Sequence, residues 1–195
     1  MMSKKKIPIE ISARHIHLSR KDLEKLYGKD YKLKPVHFLS QKGEFASEEV
    51  VELINERSKE KLNARILGPV RNESQAEISI TDAYNLKLKQ MPSLRVSGDL
   101  NGTSSIIIKG PKGKIKAKVI IAERHLHCNE EEAKRLGLKN NQIVKIKIIG
   151  KRGLIFDNVI VRIGKNYKLA LHLDTDEGNA AGILNLKKNY GELIK

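Results

Sequence analysis

The chain has 195 residues and a formal net charge of +15. That length suffices for one large domain or two small ones with real cores, and the single cysteine, Cys128, excludes an internal disulfide and a cysteine-rich zinc ribbon. No apolar run approaches the roughly 20 residues that span a bilayer, and Met1-Met2-Ser3-Lys4-Lys5-Lys6 leads into a segment too short and too polar for a signal-peptide core, so a soluble, cytosolic protein is expected.

Period-2 alternation and short apolar runs predict strands at 7–12, 50–54, 63–67, 75–80, 94–96, 105–109, 115–121, 143–149, 154–161 and 168–173. Turn signals separate them: Pro35, Lys42-Gly43, Gly68-Pro69, Ser97-Gly98-Asp99, Asn101-Gly102, Gly110-Pro111-Lys112-Gly113 and Gly150-Lys151-Arg152-Gly153. Many short strands at this spacing suggest barrels or sandwiches. Helices look few and short. One starts at Ser19-Arg20-Lys21-Asp22 and stops at Gly28; a second starts at Asn129-Glu130-Glu131-Glu132 and stops at Gly137. A third runs from a cap at Asp82 through Leu86. The lysines are scattered along strands such as Lys112-Gly113-Lys114-Ile115-Lys116-Ala117-Lys118. Scattered lysine fits a solvated face better than a groove that reads nucleic acid, and a basic surface also suits small anionic substrates.

The chain contains a repeat. His15-Ile16-His17 recurs as His125-Leu126-His127, each preceded by an arginine, Arg14 or Arg124. Both copies sit in the same frame of strand, Arg-His-x-His, helix cap, short helix and glycine. Four of the six histidines lie in these pairs, and a fifth, His172, lies in an acidic stretch. On a strand, residues i and i+2 point to one face, so each pair aims two imidazoles at one spot, the beginning of a metal site. Glu77 precedes Thr81-Asp82-Ala83 as His172 precedes Thr175-Asp176-Glu177. The two candidate groups are therefore His15, His17, Glu77 and His125, His127, His172. Three ligands leave tetrahedral zinc one open position, as in catalytic rather than structural sites. Surface or hydrogen-bonded histidine pairs are the plainer alternative.

Gly-Pro turns the chain at Gly68-Pro69 and leaves Arg71 near the strand of Glu77; a guanidinium there suits phosphate and a developing oxyanion. Cys128 points away from His127 on the strand and has apolar Leu18 as its counterpart, so core packing is expected rather than nucleophilic chemistry. Asp174, Asp176 and Glu177 read either as partners that orient imidazoles or as a helix cap with first-turn acids. His37 reads as a loop side chain, and Gly110-Pro111-Lys112-Gly113 as a hairpin turn rather than a phosphate loop.

Five motifs in order resemble the PduL-type phosphate propanoyltransferases, the phosphotransacylases associated with propanediol utilisation. They are Ser12-Ala13-Arg14-His15-Ile16-His17-Leu18-Ser19, Gly68-Pro69-Val70-Arg71, Ser97-Gly98-Asp99-Leu100, Arg124-His125-Leu126-His127 and the segment from His172 to Gly182. The resemblance implies a mainly β protein of two β-barrel modules with short capping helices, the N-terminal strand joining the C-terminal barrel. The expected modules are 14–122, inserted, and 4–13 with 123–195. It implies two zinc ions in one active site on the two groups above, Arg71 as the catalytic phosphate-binding arginine, and Ser12, Arg65, Leu67, His172 and Asn179 along a coenzyme A groove. Glu123, Cys128 and Gly178 depart from residues usual in that family, and none is a proposed ligand. The short polar N-terminus differs from the amphipathic targeting extension of members packaged in microcompartments, which suggests a free cytoplasmic enzyme.

The expected reaction is reversible: acyl-CoA, propanoyl or acetyl, plus phosphate gives acyl phosphate plus CoA. Phosphate attacks the thioester directly, with zinc polarising the carbonyl or taking the thiolate. No nucleic-acid or membrane partner is expected, and a homo-oligomer is left open. The alternatives are a dinuclear zinc hydrolase of esters or thioesters, and a basic nucleic-acid-binding protein with structural zinc. The scarcity of aromatics to stack on bases counts against the latter.

Overall fold

The computed structural model describes residues 6–183 and 189–194. Residues 4 and 5, expected to open the second module, and 184–188 and 195, expected within it, lie outside the described residues. The elements run β1 (Lys6–Ser12), β2 (His15–His17), α1 (Arg20–Tyr27), β3 (Pro35–Phe38), β4 (Phe45–Ile54), β5 (Lys61–Gly68), β6 (Gln75–Glu77), α2 (Ile80–Asn85), β7 (Leu94–Arg95), β8 (Ser105–Lys109) and β9 (Lys114–Ala122). They continue with β10 (His125–Cys128), α3 (Glu130–Leu136), β11 (Ile143–Ile148), β12 (Ile155–Ile163), β13 (Ala170–Asp174), α4 (Thr175–Ala181) and β14 (Tyr190–Ile194). The chain divides into two compact units: Ala13–Ala122, and the segments on either side of it. No helix among the described residues is long and apolar enough to cross a membrane.

Each unit is a six-stranded barrel. In the inserted unit the ring runs β2, β6, β9, β8, β4, β5 and closes back on β2. In the other it runs β10, β13, β1, β14, β11, β12 and closes on β10. The pairings match step for step. β2–β6 and β10–β13 are antiparallel, β6–β9 and β13–β1 parallel, β2–β5 and β10–β12 parallel, and the remaining three in each ring antiparallel. The barrels are topological copies. In one, β8 and β9 form a hairpin; in the other, the matching strands β14 and β1 come from opposite ends of the sequence. This is the expected two-barrel architecture, with the first strand joining the C-terminal barrel. Two short strands sit outside the first ring, β3 on β4 and β7 on β9.

Alternation explains why these segments are barrel strands. In β9, Ile115, Ala117 and Val119 are buried while Lys114, Lys116 and Lys118 are exposed. In β11, Val144, Ile146 and Ile148 are buried between exposed Lys145 and Lys147. The scattered lysines are thus the outward rows of half-buried strands. Each barrel has its own apolar core, one around Ile16, Leu53, Ile66 and Ile108, the other around Ile7, Leu126, Ile146 and Leu171.

The helices are short caps with explicit start signals. Ser19 Oγ accepts from the Asp22 N–H, and full capping boxes start α2 (Ser79 with Asp82), α3 (Asn129 with Glu132) and α4 (Asp174 with Glu177). Gly137 and Gly182 end α3 and α4 in the left-handed conformation.

Several boundaries differ from the sequence expectation. Asp82 is the third residue of α2, not its cap; the cap is Ser79, so β6 ends at Glu77 and not at residue 80. Pro35 begins edge strand β3 rather than marking a turn, and His37 sits exposed on that strand instead of in a loop. Proline is tolerated there because an edge strand leaves one row of N–H groups unpaired. β4 starts five residues earlier than expected, and β14 was not expected.

One close approach carries a stability prediction. Gly68 faces Phe45 across β5 and β4, and a Cβ on Gly68 would lie 2.1 Å from the Phe45 ring. Gly68→Ala is expected to cost about 1–3 kcal/mol through forced displacement of that ring, read from the denaturant midpoint. A Phe45→Ala background should remove most of this added cost.

Candidate metal centres and their arginine

The strand register builds the first group. β2 pairs antiparallel with β6 so that His15 faces Glu77 and His17 faces Gln75. All of these side chains are buried. His15 Nε2 lies 3.6 Å from Glu77 Oε2, and His17 Nε2 lies 3.8 Å from Glu77 Oε1. The second group repeats this geometry. β10 pairs with β13 so that His125 faces His172 and His127 faces Ala170. His172 therefore occupies the position that Glu77 holds in the first barrel.

In each group the donor atoms lie within 4.8 Å of one another. A tetrahedral site with metal–ligand bonds of 2.0–2.1 Å needs donors about 3.3 Å apart, so modest closure suffices. Donor chemistry fits as well. His15 Nδ1 lies 2.9 Å from the Ala13 carbonyl, and His125 Nδ1 lies 2.8 Å from that of Glu123. A carbonyl only accepts, so Nδ1 carries hydrogen and Nε2 is left to ligate. Two imidazoles with a carboxylate, and three imidazoles, are both zinc-type sets.

The residues before each pair form a matching brace. Arg14 Nε donates to Asp82 Oδ1 at 3.1 Å, and Arg124 Nε donates to Glu177 Oε1 at 2.5 Å. Asp82 and Glu177 are equivalent residues, each the third of the helix that follows the strand of the third candidate ligand. Of the two readings left open for it, Glu177 takes the helix cap, and its other bond goes to the arginine beside His125 rather than to an imidazole.

Burial and charge compete in the first group. Burial disfavours the His15 imidazolium, but the charge and hydrogen bond of Glu77 outweigh it and raise the pKa of His15. Burial, then the charges of His15 and Arg71, hold His17 well below its usual value. Burial pushes Glu77 up, yet His15, His17 and the Ser97 hydroxyl bring it well below the carboxylate range. Glu77 is therefore ionised, the form in which a carboxylate can ligate a cation.

Arg71 follows β5, and its backbone N–H bonds the Leu18 carbonyl. Its Nη1 donates to Ser97 Oγ at 3.1 Å, and Ser97 in turn donates to Glu77 Oε1 at 2.6 Å. The Gln75 amide donates to both Glu77 Oε1 (2.5 Å) and Ser97 Oγ (3.0 Å). One hydroxyl thus links the guanidinium to the carboxylate of the candidate metal group. Sequence reasoning missed Gln75 and the role of Ser97. The signal for Gln75 was its place two residues before Glu77 on the same strand face; for Ser97 it was only the Ser-Gly-Asp-Leu motif.

The remaining site residues are distributed as follows. Arg65 faces His15 across β5 and donates through Nη1 to the Ser47 carbonyl, and Leu67 is half-buried further along the same strand. Ser12 ends β1 opposite Asp174, two residues past Glu10, which faces His172. Asn179 is exposed on α4. Cys128 is fully buried in a barrel core, where burial and then Glu132 push its thiol up to about 11, so it is not a nucleophile.

Comparison with known proteins places the chain in a family. A family model described as phosphate propanoyltransferase matches residues 8–184. A phosphate propanoyltransferase of Thermotoga maritima is 46% identical over 191 residues, covering 96% of this chain and 87% of that protein. Those of Sebaldella termitidis and Clostridioides difficile are 47% and 40% identical, over 89% and 90% of this chain and 82% and 84% of theirs. These matches define the chain as an acyltransferase. It belongs to the phosphate propanoyltransferase family, whose reaction transfers an acyl group between CoA and phosphate.

Proposed function

We propose that this chain interconverts acyl-CoA plus phosphate and acyl phosphate plus CoA by direct attack of phosphate on the thioester, with zinc at both three-ligand groups. The observation that carries this reading is the Arg71–Ser97–Glu77 chain, which sets a guanidinium one hydroxyl away from a buried metal-type ligand set. Arg71 presents paired N–H donors suited to two phosphate oxygens. Its present partner on Nη2, Glu44, lies 3.5 Å away and is one-third exposed. Such a contact is worth at most about 1 kcal/mol, so arriving phosphate displaces it readily.

A phosphate oxygen bonds the carbonyl carbon, and the carbonyl oxygen takes the negative charge. The C–S bond then breaks, giving acyl phosphate, and CoA leaves as thiolate and takes a proton from solvent. Arg71 holds the nucleophile in place and damps the charge that gathers around the tetrahedral carbon. When bound, zinc supplies Lewis acidity toward the carbonyl oxygen and a soft acceptor for sulfur. Ser97 and Gln75 keep Glu77 oriented throughout. No acyl-enzyme is needed, in keeping with the raised pKa of Cys128. Ser12, Arg65, Leu67, His172 and Asn179 are assigned to CoA contacts on the family resemblance.

The decisive assay follows thiol release from acetyl-CoA and propanoyl-CoA with and without phosphate, alongside metal analysis. Thiol release is expected only with phosphate, with acyl phosphate formed in equal amount. Phosphate-independent thiol release would make the chain a thioester hydrolase and overturn the proposal.

A further inference from the structure

The His125, His127, His172 group has a neighbour that neither the repeat nor the reaction accounts for. The Tyr167 ring lies flat on the His127 imidazole, centroids 3.8 Å apart and planes at 13°. We propose that Tyr167 is a positioning residue for this group: its ring holds the His127 imidazole at the angle that lets all three ligands face one metal ion. The proposal rests on the reading of this group as a metal site.

The surrounding turn is shaped to place that ring. The Tyr167 N–H bonds the Gly164 carbonyl at 3.0 Å, and the Gly164 N–H bonds the carbonyl of Cys128, the residue after His127, at 3.1 Å. The turn therefore hangs from the strand that carries the ligand. A Cβ on Gly164 would lie 2.8 Å from the Tyr167 ring, so the ring packs directly against the glycine backbone. The Arg162 guanidinium, in register with His127 on β12, stands 5.8 Å from the ring centroid.

The first barrel shows why a ring is used here. Opposite His17 stands Gln75, a buried side chain that fills the space and bonds Glu77. Opposite His127 stands Ala170, which fills little and bonds nothing through its side chain. The loop from β12 to β13, of the same length as the β5–β6 loop that matches it, carries Tyr167 and supplies the missing volume from the side. Tyr167 does not belong to the apolar core of its barrel, and its neighbours Lys165, Asn166 and Lys168 are exposed. An aromatic laid on a histidine at such a turn, away from the core, is placed for the histidine. The other two rings have orienting contacts of different kinds: His125 through the Glu123 carbonyl, and His172 beside the Glu10 carboxylate, 4.0 Å from its Nδ1.

The test uses the full chain with the first group disabled by His15→Ala and His17→Ala, so that only the second group binds metal. Cobalt(II) affinity is read by competition with a chromophoric chelator, and ligand geometry by the visible cobalt bands. Adding Tyr167→Ala should weaken cobalt binding by roughly 10–100-fold, as loss of a ligand's supporting partner does, and alter the bands. Tyr167→Phe should restore both, because the ring and not the hydroxyl acts. Gly164→Ala, which pushes on the ring, should fall between, and it decides the matter if Tyr167→Ala does not fold. Unchanged affinity and bands in Tyr167→Ala and Gly164→Ala overturn the proposal while leaving the metal reading intact. A Tyr167→Phe variant as weak as Tyr167→Ala also overturns it. Failure of the Tyr167-containing background to bind cobalt overturns it together with the metal reading.

Discussion

Arg71→Ala is expected to lower kcat/KM for phosphate-dependent thiol release by about a thousandfold or more, with metal content unchanged. Loss of a single donor to a developing oxyanion costs about 10²–10³, and Arg71 in addition holds the nucleophile. Metal content survives because Arg71 touches no ligand directly; Ser97 and Gln75 still hold Glu77. Arg71→Lys should recover only a small part. An ammonium is a point charge and cannot bond two phosphate oxygens and Ser97 from one plane. Steady-state kinetics with varied phosphate and elemental analysis of the same samples check this. Joint loss of zinc and activity would make Arg71 structural; full activity would remove it from the phosphate site.

The two His-x-His pairs were legible from sequence because a strand has period 2, so spacing alone puts both rings on one face. Their third candidate ligands were legible only from the weaker parallel of the segments that follow them. Glu77 and His172 stand 60 and 45 residues from the pairs they join, and the register, His15 to Glu77 and His125 to His172, gives that parallel its physical basis. The misread start of α2 has a local cause. Ser79-Ile80-Thr81-Asp82 is the same box as Asn129 to Glu132 and Asp174 to Glu177, but two good capping residues compete in it, and only the backbone shows which one caps. Asp82 is spent on the Ser79 N–H and on Arg14. β3 was hidden by the turn value of Pro35, and the link from Arg71 to Ser97 spans 26 residues with no sequence pattern behind it. Tyr167 was invisible for a similar reason: an aromatic in a polar turn has no periodicity.

Glu77→Gln is expected to remove the metal of the first group and bring turnover to near background, while the second group keeps its ion. The carboxylate is the only anionic ligand across the two groups, and it is fully ionised in its buried setting, held well below its usual pKa against burial by His15 and His17 and by Ser97. An amide of the same shape keeps the packing and the bonds from Gln75 but offers no charge. The buried site then has two imidazoles facing a weak neutral donor, and a divalent cation loses its principal electrostatic partner. Lewis-acid stabilisation worth several kcal/mol disappears with the ion, which corresponds to about 10²–10⁴ in rate. Metal analysis should fall from two ions per chain to one, and thiol release should not recover on adding zinc. Ser97→Ala leaves the carboxylate in place and should weaken the same site by only about 10–100-fold, with recovery at higher zinc. A Glu77→Gln protein that retains both ions, or that works without the first, would separate this carboxylate from metal binding and leave it as a hydrogen-bonded core residue.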